Sequence, residues 1–371
     1  MTRCTRLAPL VAAICLNFLI FLSRMPADDL GAAVDAFDRD LRTQRIEPDM
    51  LNANPGEANA ISDPGKHDGQ RNSPRPENDR ALADLDEAIR LNPNDPLAYA
   101  NRGDAYRKRR NYDMALSDYD QAIRLNPRSA PAYNNRGNIY LEQRNYDKAL
   151  SDYNQAILLD QNYARAYNNR GLVYLEKRDY NRAMSDCNQA IALNANYAHA
   201  YNNRGRTYYR LKNYDKALSD YNHAIRLDPN YAIAYINRGD IYLEQKNYNK
   251  ALSDYNQAIQ LGRNYALAYI NRGRAYRLQR RYDEALSDYN HAIVLDPKSA
   301  LAYNNRGNIY RDEKDYIKAL SDYNQAIRLE PNFALAYRNR GKMFKEQGRK
   351  QEADADFARA AQLGRSEAGS L

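Results

Sequence analysis

Residues 300–333 read ALAYNNRGNIYRDEKDYIKALSDYNQAIRLEPNF, and this window decides the fold. Tyr303, Gly307 and Tyr310 fall at helical intervals, Lys314 and Asp315 interrupt them, and Ala319, Tyr323, Ala326 and Ile327 resume the interval. Two antiparallel amphipathic helices joined by a tight turn follow from that spacing. The window recurs, because Asn-Arg-Gly begins at Asn101, Asn135, Asn169, Asn203, Asn237, Asn271, Asn305 and Asn339, a fixed step of 34 residues. A period of that length identifies a stack of helix pairs, since one pair alone cannot cover its own apolar face. The expected class is all-α: a right-handed α-solenoid, or superhelix, of eight 34-residue helix-turn-helix repeats starting at residues 96, 130, 164, 198, 232, 266, 300 and 334, preceded by a half-repeat.

Working outward, residues 96–367 form one elongated unit whose size is set by repeat number. All 33 tyrosines lie in it and the chain has no tryptophan, so the aromatic content belongs to the stacking pattern. The stretch 79–95 matches the second half of a repeat, with Leu82, Leu85 and Ile89 as its apolar stripe and Pro93 as its close, and is expected to cap the first helix of the array. At the other end the eighth repeat turns polar, with Lys350, Glu352, Asp354 and Arg359 on its second helix, and residues 368–371 are a tail. Residues 46–78 carry Pro48, Pro55, Pro64, Pro74 and Pro76 without an apolar period, which describes a disordered linker. Leu30, Val34, Phe37 and Leu41 mark a short amphipathic helix over 28–45.

Residues 1–27 read as a signal peptide or membrane anchor. Arg3 and Arg6 precede an uncharged apolar run from Leu7 to Leu22, followed by Ser23 and Arg24. A helix over that run spans about 24 Å, short of the roughly 30 Å hydrocarbon core. Met25, where cleavage before Asp28 wants a small residue, weakens the cleavage site, so cleaved signal and retained anchor both stay open. Either form exports the repeats across a membrane, to a periplasmic, extracellular or anchored location. Cys4 and Cys15 lie in this segment and Cys187 alone in the repeats, so no internal disulfide is available to the array.

The repeat resembles the tetratricopeptide repeat family. Tyr133, Gly137, Tyr140, Ala149, Tyr153 and Ala156 match its aromatic, Gly, Tyr, Ala, aromatic and Ala positions, with Gln161 where proline is usual. The glycine inside each first helix costs about 1 kcal/mol relative to alanine, and close contact with the alanine side of the second helix, Ala319 in the window above, would explain it. Lysine or arginine ends the first helix in seven repeats, meeting the negative end of the helix dipole. The next residue, as at Asn111, Asn145 and Asp179, tolerates the left-handed conformation that closes a helix.

Two polar ladders depart from a purely apolar repeat. Arginine precedes the glycine in all eight repeats, from Arg102 to Arg340, and an aspartate follows sixteen residues later, from Asp118 to Asp356. Burying a charge demands a partner, so an Arg–Asp ladder is expected; spacing leaves open whether each arginine pairs within its repeat or with the preceding helix. The second ladder is Asn101, Asn135, Asn169, Asn203, Asn237, Asn271, Asn305 and Asn339. In the O-linked N-acetylglucosamine transferases the asparagine at this position holds the backbone of an extended substrate in the concave groove, so the resemblance implies a peptide-binding row here. An amide can donate and accept at once, which suits an extended backbone of any sequence. Specificity would come from neighbouring positions, among them Arg206, Tyr209, Arg210, Ile236, Ile270, Arg274 and Arg277, whose apolar and basic character suits an acidic, partly hydrophobic segment.

The function implied is a non-catalytic protein-protein interaction scaffold. His67, His199, His223 and His291 are not at metal-ligand spacing, and no phosphate-binding glycine loop, zinc motif or nucleophile elbow occurs, so neither enzyme nor cofactor is expected. The chaperone-tail clamp of the family needs a lysine before the groove asparagine in one repeat and an arginine in its place in another; neither substitution is present. Residues 79–371 carry 46 Lys plus Arg against 36 Asp plus Glu. That surplus keeps an RNA- or polyanion-binding helical-repeat protein as the alternative. Export and the helix-end placement of much of the charge count against it. Oligomeric state is not set by the sequence.

Overall fold

The computed structural model describes residues 77–262 and 264–368. Within them the chain divides into two compact units, residues 77–280 and 281–368. The signal or anchor over 1–27, the amphipathic helix over 28–45, the linker as far as residue 76 and the last three residues lie outside the described residues. The described residues form seventeen α-helices and no strand. Among them, no helix is long and apolar enough to cross a membrane.

In the first unit α1 (Glu77–Leu91) leads five complete helix pairs and one further helix. The first helices are α2 (Pro96–Lys108), α4 (Ala130–Glu142), α6 (Ala164–Glu176), α8 (Ala198–Arg210), α10 (Ala232–Glu244) and α12 (Ala266–Leu278). The second helices are α3 (Tyr112–Leu125), α5 (Tyr146–Leu159), α7 (Tyr180–Leu193), α9 (Tyr214–Leu227) and α11 (Tyr248–Leu261). Each first helix from α2 to α10 packs on the second helix that follows it, and each second helix from α3 to α11 packs on the next first helix. The second unit repeats the scheme with α13 (Tyr282–Leu295), α14 (Ala300–Asp312), α15 (Tyr316–Leu329), α16 (Ala334–Glu346) and α17 (Lys350–Ala368). The 34-residue helix-turn-helix solenoid expected from the sequence is the architecture of both units. The half-repeat helix α1 starts at Glu77, two residues inside the stretch read as linker, and seats Leu82 and Ile89 partly or fully out of solvent.

The core is made of small and flat side chains. Ala149, Tyr153 and Ala156 on α5 are 0% exposed, and the same register gives Ala217, Tyr221 and Ala224 on α9. The glycine of each first helix is what lets the ring in. A Cβ on Gly137 would stand 2.8 Å from the Tyr153 ring, and one on Gly239 would stand 2.7 Å from the Tyr255 ring. In the second unit Gly307 meets Tyr323, at 3.0 Å, so the close contact is with the aromatic ring and not with Ala319. Gly171 meets Cys187 instead, because α7 carries cysteine where the other second helices carry an aromatic.

The turn inside each repeat differs from the sequence expectation by one residue. Arg110, Arg144, Arg178, Lys212, Lys246, Arg280 and Lys314 themselves adopt the left-handed conformation, with φ between 58° and 63°. The Arg110 N–H donates to the Arg107 carbonyl at 2.8 Å and the Asn111 N–H to the Tyr106 carbonyl at 3.0 Å, the paired closure of a Schellman turn. Asn111, Asn145 and Asp179 sit one residue beyond and cap the second helix, accepting from the backbone N–H groups of Met114, Lys148 and Arg182. In the eighth repeat the left-handed position is Gly348.

Candidate functional site on the first helices

The arginine ladder is a structural joint. Arg136 donates from Nε and Nη2 to the two carboxylate oxygens of Asp152 at 2.8 and 2.6 Å, and Arg170–Asp186, Arg204–Asp220 and Arg238–Asp254 repeat the fork in the first unit. Arg306–Asp322 and Arg340–Asp356 do so in the second. Pairing is therefore within the repeat. The remaining Nη1 reaches the preceding second helix sixteen residues back, as in Arg136 to Asp120 at 2.6 Å and Arg170 to Asn154 at 2.8 Å. Arg102 applies the same arm to Asp86 of α1, which ties the half-repeat to the array through Asp86 and not Asp84. Burial pushes the carboxyls of Asp152 and Asp254 up despite their guanidinium partners. Tyrosines bracket the guanidiniums, Tyr167 and Tyr174 standing 5.5 and 6.0 Å from Arg170.

Beyond the exposed Asn101, the asparagine row is half-buried or buried. Asn169, Asn203, Asn271 and Asn339 are buried, Asn135, Asn237 and Asn305 are half-buried, and Asn101 is exposed. The amides are engaged across successive first helices: Asn169 Nδ2 donates to Asn134 and Asn138 at 3.0 Å, Asn203 to Asn168 at 2.9 Å, and Asn237 to Asn202 at 2.8 Å. Asn134 and Asn168 in turn donate to Asn135 and Asn169, so the bonds run on from helix to helix. In the second unit Asn339 donates to Asn304 at 2.9 Å and Asn304 to Asn305 at 3.1 Å. The physical reason is proximity: the next first helix offers a carboxamide at hydrogen-bond distance, and a buried amide takes the partner it can reach. Ile236 and Ile270 also leave the expected groove lining. They are 1% and 4% exposed, and Ile236 packs among Leu243, Ala251 and Tyr255.

What remains partly exposed on the first helices is the register that changes from repeat to repeat. Three residues after the row asparagine stand Asp104, Asn138, Leu172, Arg206, Asp240 and Arg274 in the first unit. Asp104, Arg206, Asp240 and Arg274 are half-buried, as are Tyr209, Arg210 and Arg277 one turn on. Arg206 donates to Glu176 at 2.9 Å and Arg274 to Glu244 at 3.5 Å, so a carboxylate of the preceding first helix answers each of these arginines. The face carries both signs, where the sequence suggested a basic one. Burial raises the Tyr209 hydroxyl and lifts Asp240 to about 7. At the N-terminal ends of the same helices His199 lies 4.5 Å from the Tyr231 ring and 5.6 Å from the Tyr197 ring; burial lowers it to about 4.

This alternation of invariant internal joints with a varying outer register is that of a helical-repeat array built by stacking one module. Profiles described as tetratricopeptide repeat match residues 162–230 and 196–264, and profiles described as TPR repeat match 77–109, 103–144, 137–178, 273–310 and 307–348. The chain belongs to the tetratricopeptide repeat family. Among solved structures it is similar to the APC/C hetero-tetramer Cut9–Hcn1, with a TM-score of 0.62 and 16% identity over 72% of this chain and 52% of that one. It is also similar to a tetratricopeptide repeat protein from Parabacteroides merdae, with a TM-score of 0.52 and 24% identity over 62% of this chain and 91% of that one. These likenesses concern the fold, and the chain spans about half the length of the Cut9–Hcn1 chain it matches. Comparison with curated proteins gave no match.

Proposed function

We propose that this protein is a non-catalytic scaffold that binds an extended protein segment along the partly exposed face of α8, α10 and α12. The observation that carries the reading is the contrast between registers. Positions that recur in every repeat are committed to joints between helices, whereas Arg206, Tyr209, Glu244 and Arg274 vary and keep surface in solvent. Charges of both signs in that register fit a partner segment of mixed charge, and rim charges of this kind govern partner choice more than affinity. Export rests on residues 1–27 alone; fusing residues 1–45 to a reporter active only outside the cytoplasm tests it, and a silent reporter removes it.

The binding reading is tested by fluorescence anisotropy of the full chain against extended peptides of varied charge, alongside a single-stranded RNA. The Arg206→Ala, Arg210→Ala, Arg274→Ala triple variant should weaken peptide binding by about tenfold or more with helicity unchanged, as loss of interface arginines does. Equal binding by the variant removes the proposed face. Tight RNA binding that collapses as salt rises would favour the polyanion alternative.

A further inference from the structure

The turn that joins α10 to α11 opens onto a pocket of about 400 Å³ lined by Gln245, Lys246, Asn247, Tyr248, Asn249 and Gln279, the last standing at the C-terminal end of α12. Four of the six carry carboxamides, one carries an ammonium and none is acidic. Asn247 spends its oxygen on the Lys250 N–H at 3.3 Å to cap α11, which leaves its amide nitrogen to donate. Among the described residues, Gln245, Asn249 and Gln279 make no side-chain hydrogen bond and Lys246 makes no ion pair. An earlier seam is bridged instead. At the positions matching Asn249 and Gln279, Asp147 of α5 pairs with Lys177 at the end of α6, at 2.9 Å. In the other seams of the first unit those positions hold Asp113 and Gln143, Asn181 and Leu211, and Asp215 and Gln245, so two carboxamides meet this requirement only between α11 and α12.

We propose that this pocket is a saccharide subsite, taking a sugar unit that carries neighbouring hydroxyls and a carboxylate, as a uronic acid does. A hydroxyl donates and accepts at once, as a carboxamide does, so paired hydroxyls on adjacent ring carbons match a cluster of amides with bonding capacity to spare. A peptide group splits donor and acceptor between opposite edges and would leave part of that cluster unused. Tyr248 is half-buried and sets an apolar ring among the amides, a surface for the C–H face of a sugar. The volume is that of a small-ligand site. Lys246 supplies the charge selection. Its N–H donates to the Leu243 carbonyl at 2.9 Å in the left-handed turn, so its ammonium works from a fixed root. With no acid in the lining, it favours a carboxylate over a neutral ring. The site does not rest on the first-helix face proposed above, although both draw on α10 and α12.

Isothermal titration calorimetry of the full chain with a glucuronic acid oligosaccharide, a neutral glucose oligosaccharide and an acidic peptide tests the assignment. The native chain should bind the acidic saccharide about tenfold more tightly than the neutral one, the effect of one charge-assisted bond. The Asn249→Asp, Gln279→Lys double variant rebuilds the ion pair that bridges α5 and α6. It should weaken saccharide binding by about tenfold or more and leave peptide binding and helicity as they are. Lys246→Gln should bring the acidic saccharide down to the level of the neutral one. A native chain that binds neither saccharide, or binds both equally, overturns the proposal, as does a double variant that binds the acidic saccharide like the native chain. Peptide binding abolished by the double variant would make the pocket a peptide site and overturns it too.

Discussion

Tyr153 donates its hydroxyl to Asn138 Oδ1 at 2.9 Å, with both side chains buried. The second unit repeats the bond between Tyr323 and Asn308. Tyr255 and Tyr119 make it to Asp240 and Asp104. Where the acceptor position holds Leu172, the aromatic position holds Cys187; where it holds Lys342, which has no acceptor atom, the aromatic is Phe357. In those two repeats hydroxyl and acceptor are lost together, whereas Tyr221 and Tyr289 keep the hydroxyl where the acceptor position holds Arg206 and Arg274. Cys187→Tyr should destabilise by about 1–3 kcal/mol, from overpacking or an unpaired buried hydroxyl. Adding Leu172→Asn should recover much of that loss in urea unfolding.

The left-handed turn residues are a store of strain spread along the array. Lys246 has φ 58° and Gly348 has φ 76°. A non-glycine residue in that conformation costs about 1–2 kcal/mol, offset in part by the entropy glycine loses on folding. Lys246→Gly is therefore expected to stabilise by about 0.5–1 kcal/mol, and Lys246→Ile to destabilise by more. Chemical unfolding midpoints at unchanged slope decide it.

Register of the guanidinium fork gives a third expectation. Asp220 is 5% exposed and receives two bonds from Arg204, whose other arm goes to Asn188 and not to Asp186. Removing Arg204 leaves that carboxylate buried without its fork, a loss of about 3–5 kcal/mol. Double-mutant cycles should show coupling of about 1 kcal/mol or more between Arg204→Ala and Asp220→Ala. The cycle with Asp186→Ala should be close to additive.

His199 gives stability a pH dependence that burial dictates. Its folded value of about 4 lies below the ordinary 6.5, so its contribution is whole above the unfolded value and drains away as pH falls from 6.5 toward 4. Stability of His199→Phe should hold more nearly level across that window than the native sequence does. A native-like decline in the variant would mean that other groups titrate there.

Much of the fold was legible because the repeat states it eight times: the 34-residue step gives helix pairs, and the half-repeat gives the leading helix. The partner of each arginine was not, since acidic or amide residues stand sixteen places away on both sides and sequence carries no distance. The asparagine row was misread for a similar reason. A period places Asn169 and Asn203 on successive first helices, but only geometry brings Asn168 within bonding reach of Asn203. A usable signal was present all the same: Ala100 and Ile236 lack an acceptor, and Asp104 and Asp240 appear four residues on in those same repeats.

Arg136 and Arg204 in the first unit and Arg306 in the second each grip their own second helix with two nitrogens and the helix behind with the third. A module cut at its turns therefore carries its own lock and leaves a standard fitting for whatever sits upstream. Lengthening or shortening such an array by whole modules keeps every lock intact. Shuffling modules is a stricter matter, because a unit carrying Ile236 and Asp240 hands its successor an acid where a unit carrying Asn202 hands it an amide, so order along the chain sets the chemistry of each seam.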